Sequence, residues 1–212
     1  AGDPRSQALA GRCKLVGGGG SSDPEAAVAW FRKSANAGQA DGEVLLGQCY
    51  YYGTWVTQDL GVATHWFLRA AEDGQPQAHE YLGLLALRGA ISGKPDPGAA
   101  ANRFALAAAQ GLPQSLHNLA RLHALGLGVP KDLPEASRLY RQAAEKGYPP
   151  SQFNLGRMYA EGLGCPKDLR QTFRWYREAA RQHFAPAQYN LGVMYENGVG
   201  VPANPRAAAR YY

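Results

Sequence analysis

The sequence contains few residues that could form disulfides or bind metal ions, and it has no long apolar run. Its 212 residues include three cysteines and five histidines. A disulfide-rich secreted scaffold would need more cysteines. No apolar run is long enough to cross a lipid bilayer, so we expect no transmembrane segment.

Catalytic and metal-binding patterns are also missing from the sequence. No two histidines share a metal-ligand spacing with an acid or thiol on one helix face. A hydrolase would need a Ser or Cys beside a base and an orienting acid, and no such set is present. The run GGGGSS at Gly17–Ser22 lacks the Lys-Ser/Thr pair of a phosphate loop and is interpreted as a turn. The sequence therefore predicts no enzyme, no metal and no cofactor.

The net charge is +5, and the basic excess lies in the second half of the chain. Four arginines follow one face of a predicted helix at helical spacing: Arg170, Arg174, Arg177 and Arg181. They form either a solvated outer face or a surface for an acidic partner. Nucleic acid is not expected as a partner, because no aromatic platform interleaves with these arginines on that face.

The chain does contain an internal repeat. A glycine recurs at Gly17, Gly53, Gly89, Gly126, Gly162 and Gly198. An Asp or Asn recurs shortly after it, at Asp23, Asp59, Asp96, Asp132, Asp168 and Asn204. The step is 36 residues, with one residue inserted in the loop 89–94. Such a period is typical of a helical repeat array.

Each repeated residue has a mechanical reason. The glycine can adopt the left-handed conformation that ends a first helix, and the Asp or Asn caps the second. Prolines occupy the first helical turn at Pro24, Pro97 and Pro205. A small residue inside the first helix predicts close helix–helix approach: Gly11, Gly47, Gly83, Ala120, Gly156 and Gly192. Aromatics fill the space between stacked pairs: Trp30, Phe31, Trp66, Phe67, Phe104, Tyr140, Trp175 and Tyr176.

The repeat pattern resembles the Sel-1-like repeat family, a relative of the tetratricopeptide repeat. The shared pattern is A-x-x-x-L-G-x-M-Y-x-x-G-x-G-V-P-x-D followed by W-Y-x-x-A-A, best matched by Ser151–Ala180 and Ala187–Asn204. The resemblance implies an all-α fold, an α/α superhelix (solenoid) of about five and a half 36-residue helix-turn-helix repeats, with right-handed winding. The expected repeats are 3–38, 39–74, 75–111, 112–147, 148–183 and 184–212. The sequence ends within a second helix, so we expect a longer parent protein.

The same resemblance implies a non-catalytic scaffold for protein–protein interaction. Family members are mostly adaptors, and bacterial ones include immunity proteins that neutralise secreted toxins. The expected partner is a protein or peptide, acidic groups included, bound in a concave groove by a monomer; the bacterial periplasm is favoured over the cytoplasm. The alternative is a cell-wall or β-lactam-binding enzyme, as proposed for cysteine-rich relatives. Their pattern of two cysteines per repeat is missing here.

The cysteines fit the core of such an array. Cys13 and Cys49 fall at the repeat position of Leu85, Leu122, Met158 and Met194 and are predicted to be buried and reduced. Cys165 lies in a turn where the other repeats have Val129 and Val201.

The candidate binding residues lie on the first helices of the later repeats. Asn118, Asn154 and Asn190 share one repeat position, preceded by His117, Phe153 and Tyr189 and followed by Arg121 and Arg157. On the helical wheel they point away from the core stripe, toward the groove of related superhelices. Amides there could bond the backbone of an extended ligand, or equally a neighbouring helix. Trp55 stands where other turns have Gly128, Gly164 and Gly200, either as a local staple or as an exposed binding residue; we favour the latter.

Overall fold

The computed structural model describes residues 4–15 and 23–212. These residues form helices and turns, and none of them lies in a strand. The helices are α1 Pro4–Leu15, α2 Pro24–Asn36, α3 Ala40–Tyr52, α4 Leu60–Glu72, α5 Pro76–Leu87, α6 Pro97–Ala109, α7 Pro113–Leu125, α8 Leu133–Glu145, α9 Pro149–Glu161, α10 Leu169–Arg181, α11 Ala185–Asn197 and α12 Pro205–Ala208. The predicted all-α solenoid is confirmed. The GGGGSS run lies outside the described residues.

Consecutive helices pack as pairs, and the pairs stack within two compact units, residues 1–107 and 108–212. In the first unit, Phe31 and Cys49 belong to a core cluster between α2 and α3, and Phe67 and Leu82 to one between α4 and α5. The second unit has corresponding clusters around the helices α8–α9 and α10–α11. Because each pair buries its apolar residues against the next, no pair would be stable alone.

The predicted helix caps are confirmed. Six side chains accept a hydrogen bond from a first-turn amide: Asp23, Asp59, Asp96, Asp132, Asp168 and Asn204. Four helices end on a left-handed glycine: Gly53, Gly126, Gly162 and Gly198. Gly89 is also left-handed, but α5 is capped one residue earlier by Arg88, next to the loop that carries the inserted residue.

The glycines inside the first helices allow the close approach that the sequence predicted. A Cβ on Gly47 would lie 2.7 Å from a ring atom of Phe67, and one on Gly156 would lie 2.6 Å from the ring of Tyr176. The ring therefore occupies the space in which a larger side chain would stand. At these glycines the second helix packs directly on the backbone of its partner.

The prediction for the cysteines is half right. Cys49 is buried beside Phe31, and burial raises the pKa of its thiol to about 11. Cys13 is exposed, so its predicted burial is wrong. The reason lies in the stacking: Cys49 is covered by α2 of the preceding pair, whereas no helix among the described residues precedes α1. All three cysteines carry free thiols.

Candidate functional site

The three predicted asparagines lie on one surface of the second unit, formed by the solvent-facing side chains of α7, α9 and α11. We call it the first-helix face. Asn118, Asn154 and Asn190 are all half-buried there. Their repeat equivalents in the first unit are Leu9, Leu45 and Tyr81, so the amide is a feature of the second unit.

The equivalent asparagines do not make equivalent contacts. Asn190 hydrogen-bonds to the buried Tyr176 hydroxyl and opposes the burial that raises the pKa of that phenol. Asn154 stands in the same relation to Tyr140, but among the described residues no hydrogen-bond partner for its amide is found. The structural role that we considered for the asparagines therefore fits Asn190, whereas the Asn154 amide is available to a ligand.

Asn154 lines a recess of about 400 Å³, which we call the α7–α9 recess. Its walls come from α7, α8 and α9, from the turn between α7 and α8, and from the turn after α9. The lining residues are Arg121, Ala124, Leu125, Lys131, Leu133, Tyr140, Asn154, Arg157, Met158 and Leu163. Sequence reasoning identified Asn154 and both arginines. It missed Lys131, Tyr140 and the apolar wall as parts of the site. The stacking of α9 on α8 places Asn154 beside Tyr140, and this pairing could have indicated the recess.

The recess is positively charged. Arg121, Lys131 and Arg157 line it, and no lining residue is an acid. Arg157 forms a loose, exposed ion pair with Glu161, at 3.6 Å between Nη2 and Oε1. No ion pair of Arg121 or Lys131 is found within the described chain. Burial raises the pKa of Tyr140 to about 12 even though Arg121 and Arg157 act in the opposite direction, so this phenol is neutral and can donate a hydrogen bond.

The residues that precede the asparagines are used largely in packing. The His117 ring lies 5.3 Å from the rings of both Tyr140 and Tyr148. Its Nδ1 is 2.9 Å from the buried Ser151 hydroxyl, and burial lowers its pKa to about 4. Phe153, at the same repeat position, stacks on Tyr176 with 5.4 Å between the ring centroids. Both side chains are therefore engaged within the protein, unlike the Asn154 amide.

Tyr189, at the corresponding position of the next repeat, is 61% exposed, and its ring lies 5.9 Å from that of Tyr212.

Trp55 lies in the first unit and has the backbone of the glycines it replaces. Its φ is 62°, compared with 66° for Gly164 and 71° for Gly200. A non-glycine residue in this conformation is strained by about 1 kcal/mol or more. The indole is 48% exposed and lines a smaller recess of about 220 Å³ with Phe31, Leu45, Gln48, Cys49, Tyr52 and Thr54.

The two recesses occur at the same repeat position with different chemistry. Five lining residues of the smaller recess correspond one by one to lining residues of the α7–α9 recess: Phe31 to Tyr140, Leu45 to Asn154, Gln48 to Arg157, Cys49 to Met158, and Thr54 to Leu163. The repeat architecture thus leaves a cavity between successive pairs. The cavity is uncharged and mostly apolar in the first unit, and it is basic with a free amide in the second.

The predicted line of arginines on α10 is partly neutralised. Arg181 pairs with Glu178 at 3.0 Å, and Arg177 lies 3.8 Å from the same carboxylate. Arg174 lies over the Trp175 ring. These contacts fit the solvated outer face that was the first of our two interpretations, and they leave the α7–α9 recess as the less compensated basic feature.

Within residues 4–15 and 23–212, no cluster of three or more His, Cys, Asp or Glu side chains is arranged to hold a metal ion. None of the helices there has the length and apolar character needed to cross a bilayer.

Comparison with solved structures finds the same fold. A Sel1 repeat protein from Oxalobacter formigenes is 32% identical, with 99% of this chain and 85% of that one covered at a TM-score of 0.92. The Escherichia coli protein c5321, described as a protective antigen of uropathogenic strains with an SLR fold, is also 32% identical at a TM-score of 0.86. This chain covers 45% of the length of c5321, with 99% of its own residues matched. An immunity protein of Pseudomonas aeruginosa shares the fold at 17% identity and a TM-score of 0.62, over 99% of this chain and 75% of that one.

Comparison with curated protein sequences gives no match. The family model described as Sel1 repeat matches six consecutive segments: 4–39, 40–75, 76–112, 113–148, 149–184 and 185–212. The matches cover almost the whole chain and agree with the stacked helix pairs of the structure. The chain therefore belongs to the Sel1 repeat family.

Proposed function

We propose that the chain is a non-catalytic scaffold that binds a segment of a protein partner on the first-helix face of its second unit. Sel1 repeats generally act as scaffolds for protein–protein interaction. The observation that carries the proposal is the α7–α9 recess, in which an unpaired amide, three cations and an apolar wall lie together.

The chemistry of this recess suits a peptide. The Asn154 amide offers two donors and one acceptor, which match the backbone of an extended segment whatever its sequence. Arg121 and Arg157 can form charge-assisted hydrogen bonds with acidic groups. Leu133, Met158 and Leu163 provide an apolar surface for a side chain. An acidic or carboxylate-bearing partner is the one that these residues favour.

The enzymatic alternative has no support at this site. The lining residues of the recess include no carboxylate, histidine, thiol or serine hydroxyl. Acyl transfer and glycoside hydrolysis rely mostly on such groups, and Lys131 and Tyr140 have no carboxylate, histidine, thiol or serine hydroxyl in the recess to act with. A cell-wall or β-lactam-binding activity would therefore need a different surface.

The narrower predictions stay predictions. A role as an immunity protein rests on the shared fold, and a likeness at 17% identity carries the fold alone. The periplasmic location and the monomeric state are likewise untested expectations. The compartment decides which cell extract is used in the following experiment, and it does not change which residues are substituted.

The experiment compares two asparagines at one repeat position. Proteins captured from source-cell extract by the immobilised chain are quantified by mass spectrometry for the native chain, Asn154→Ala and Asn190→Ala. The partner is then purified and its affinity measured by calorimetry. We expect Asn154→Ala, alone or with Arg157→Ala, to weaken binding at least about tenfold with the melting temperature unchanged, because its amide has no internal partner.

Asn190→Ala serves as the matched control. It leaves the Tyr176 hydroxyl without its hydrogen bond and should lower the stability by about 1–3 kcal/mol. Unchanged affinity for Asn154→Ala, with a loss of stability like that of Asn190→Ala, would show that both amides are structural and would refute the proposal.

A further inference from the structure

We infer that the α7–α9 recess receives the C-terminal residue of its partner, with a free carboxylate among the cations and an aliphatic side chain against the apolar wall. This inference rests on the proposed function and specifies its ligand.

The charges in the recess select an anion. Arg121 and Lys131 have no ion-pair partner among the described residues, and the pair of Arg157 with Glu161 is exposed and loose. The phenol of Tyr140 and the amide of Asn154 add neutral donors. Because a guanidinium presents two parallel N–H groups, a planar carboxylate is a better match for Arg121 than a spherical anion.

The rest of the recess selects an apolar group attached close to that anion. Leu125, Leu133, Met158 and Leu163 line the same cavity of about 400 Å³ as the cations. A cavity of this size lies at the small end of the range for small-molecule sites. Charge and apolar group must therefore enter together.

An internal acidic segment meets this condition poorly. In an extended chain, successive side chains point to opposite sides, so an acid and its apolar neighbour cannot enter one recess. Residues two apart share a side but are separated by about 6–7 Å. A C-terminal residue carries its carboxylate and its side chain on one α-carbon, which brings the two groups together without this penalty.

A phosphorylated residue would use the cations but not the apolar wall. Its phosphate group would satisfy Arg121 and Arg157, yet it would leave Leu133 and Leu163 facing water. The apolar wall therefore favours the aliphatic C-terminus, and a preference for phosphate is one of the outcomes that the experiment can return.

The experiment is an NMR titration of the full chain with peptide probes. The first pair is acetyl-Gly-Gly-Leu with a free C-terminal carboxylate and the same peptide with a C-terminal amide. The second pair is acetyl-Gly-Leu-Glu-Leu-Gly-amide, which carries an internal acid, and inorganic phosphate. We expect the free-carboxylate peptide to shift the amide signals of residues 154–163, and we expect amidation to weaken its binding at least tenfold.

Two variants locate the effect. Arg121→Gln should lower the affinity for the free-carboxylate peptide at least tenfold. Arg170→Gln is the matched control: it removes an exposed arginine of the same unit that does not line the recess, and it should change nothing. Equal binding of the amidated peptide, tighter binding of the internal-acid peptide or of phosphate, or signal changes elsewhere in the chain would each overturn the inference.

Results that refute the C-terminal inference can be distinguished from results that refute the proposed scaffold function. A partner that depends on Asn154 but binds equally well when its own C-terminus is extended by several residues would retain the scaffold function and refute the C-terminal inference. Loss of dependence on Asn154 would refute both.

Discussion

The left-handed turn glycines yield a prediction about stability. Gly164 has a φ of 66°, and a Cβ added there would overlap the carbonyl of Leu133, where α8 begins, and lie 2.6 Å from the Pro134 nitrogen. Both obstacles are backbone atoms, which cannot rotate away. Gly147, in the same unit, has a φ of 84° and nothing within 4 Å of such a Cβ. The two positions separate conformational strain from collision.

The magnitudes follow from this difference. Replacing either glycine by alanine forces a left-handed conformation that is unfavourable by about 1–2 kcal/mol. At Gly164 the collision also displaces the start of α8, and overpacking of this kind adds about 1–3 kcal/mol. We therefore expect a loss of about 1–2 kcal/mol for Gly147→Ala and of about 2–5 kcal/mol for Gly164→Ala.

Urea unfolding followed by far-UV circular dichroism measures these losses. Because long repeat arrays need not unfold in one step, amide hydrogen exchange of residues 133–164 is measured in parallel. Gly164→Ala should accelerate exchange at the start of α8, and Gly147→Ala should not. If the two variants lose equal free energy of unfolding, the positive φ alone explains the glycine at position 164. That result would refute a requirement for close packing of this turn against α8.

Two buried polar groups provide further tests. Glu43 is 2% exposed and pairs with Arg69 at 2.8 Å, and burial raises its pKa despite this partner. Arg69→Ala should lower the free energy of unfolding by at least about 2 kcal/mol, and adding Glu43→Gln should recover part of it; a double variant no better than the single one would contradict this. His117 has a folded pKa of about 4, below its ordinary value of 6.5, so the unfolded chain takes up a proton first and stability falls as the pH drops below about 6.5. Between pH 7.5 and pH 5 we expect a loss of about 2 kcal/mol that His117→Phe, the residue type of the next repeat, abolishes in pH-dependent urea unfolding. An unchanged pH profile in that variant would rule out His117 as the cause.

The sequence was sufficient for the fold because the repeat makes each local signal appear several times. A single Asp such as Asp59 is a weak cap signal, but six at one spacing define the start of every second helix. The repeated small residues likewise indicated close approach, which the contact between Gly156 and Tyr176 confirms. The same reasoning gave the wrong result for Cys13. Its equivalence to Cys49 implied burial under a preceding helix pair, and no described helix precedes α1 to cover Cys13.

The candidate site could be predicted only in part. Repeat position located Asn154 and Asn190 together but could not tell which amide was already bonded, because that depends on the placement of a tyrosine from the preceding helix. Lys131 and Leu163 lie in turns, where helical periodicity does not predict which way a side chain points. Glu43 escaped notice because the acids of this chain were assigned chiefly as caps, whereas its partner Arg69 lies on the next helix.

Site-specific photo-cross-linking tests the central claim most directly. A photoreactive phenylalanine analogue replaces Leu125, which is exposed and lines the α7–α9 recess, or Leu68, which is exposed on α4 in the other unit. After irradiation in source-cell extract, mass spectrometry identifies the adducts. We expect a specific protein adduct from position 125, lost on adding Asn154→Ala, and none from position 68. Adducts of equal yield from both positions, or an adduct at position 125 that persists in Asn154→Ala, would contradict binding in the recess.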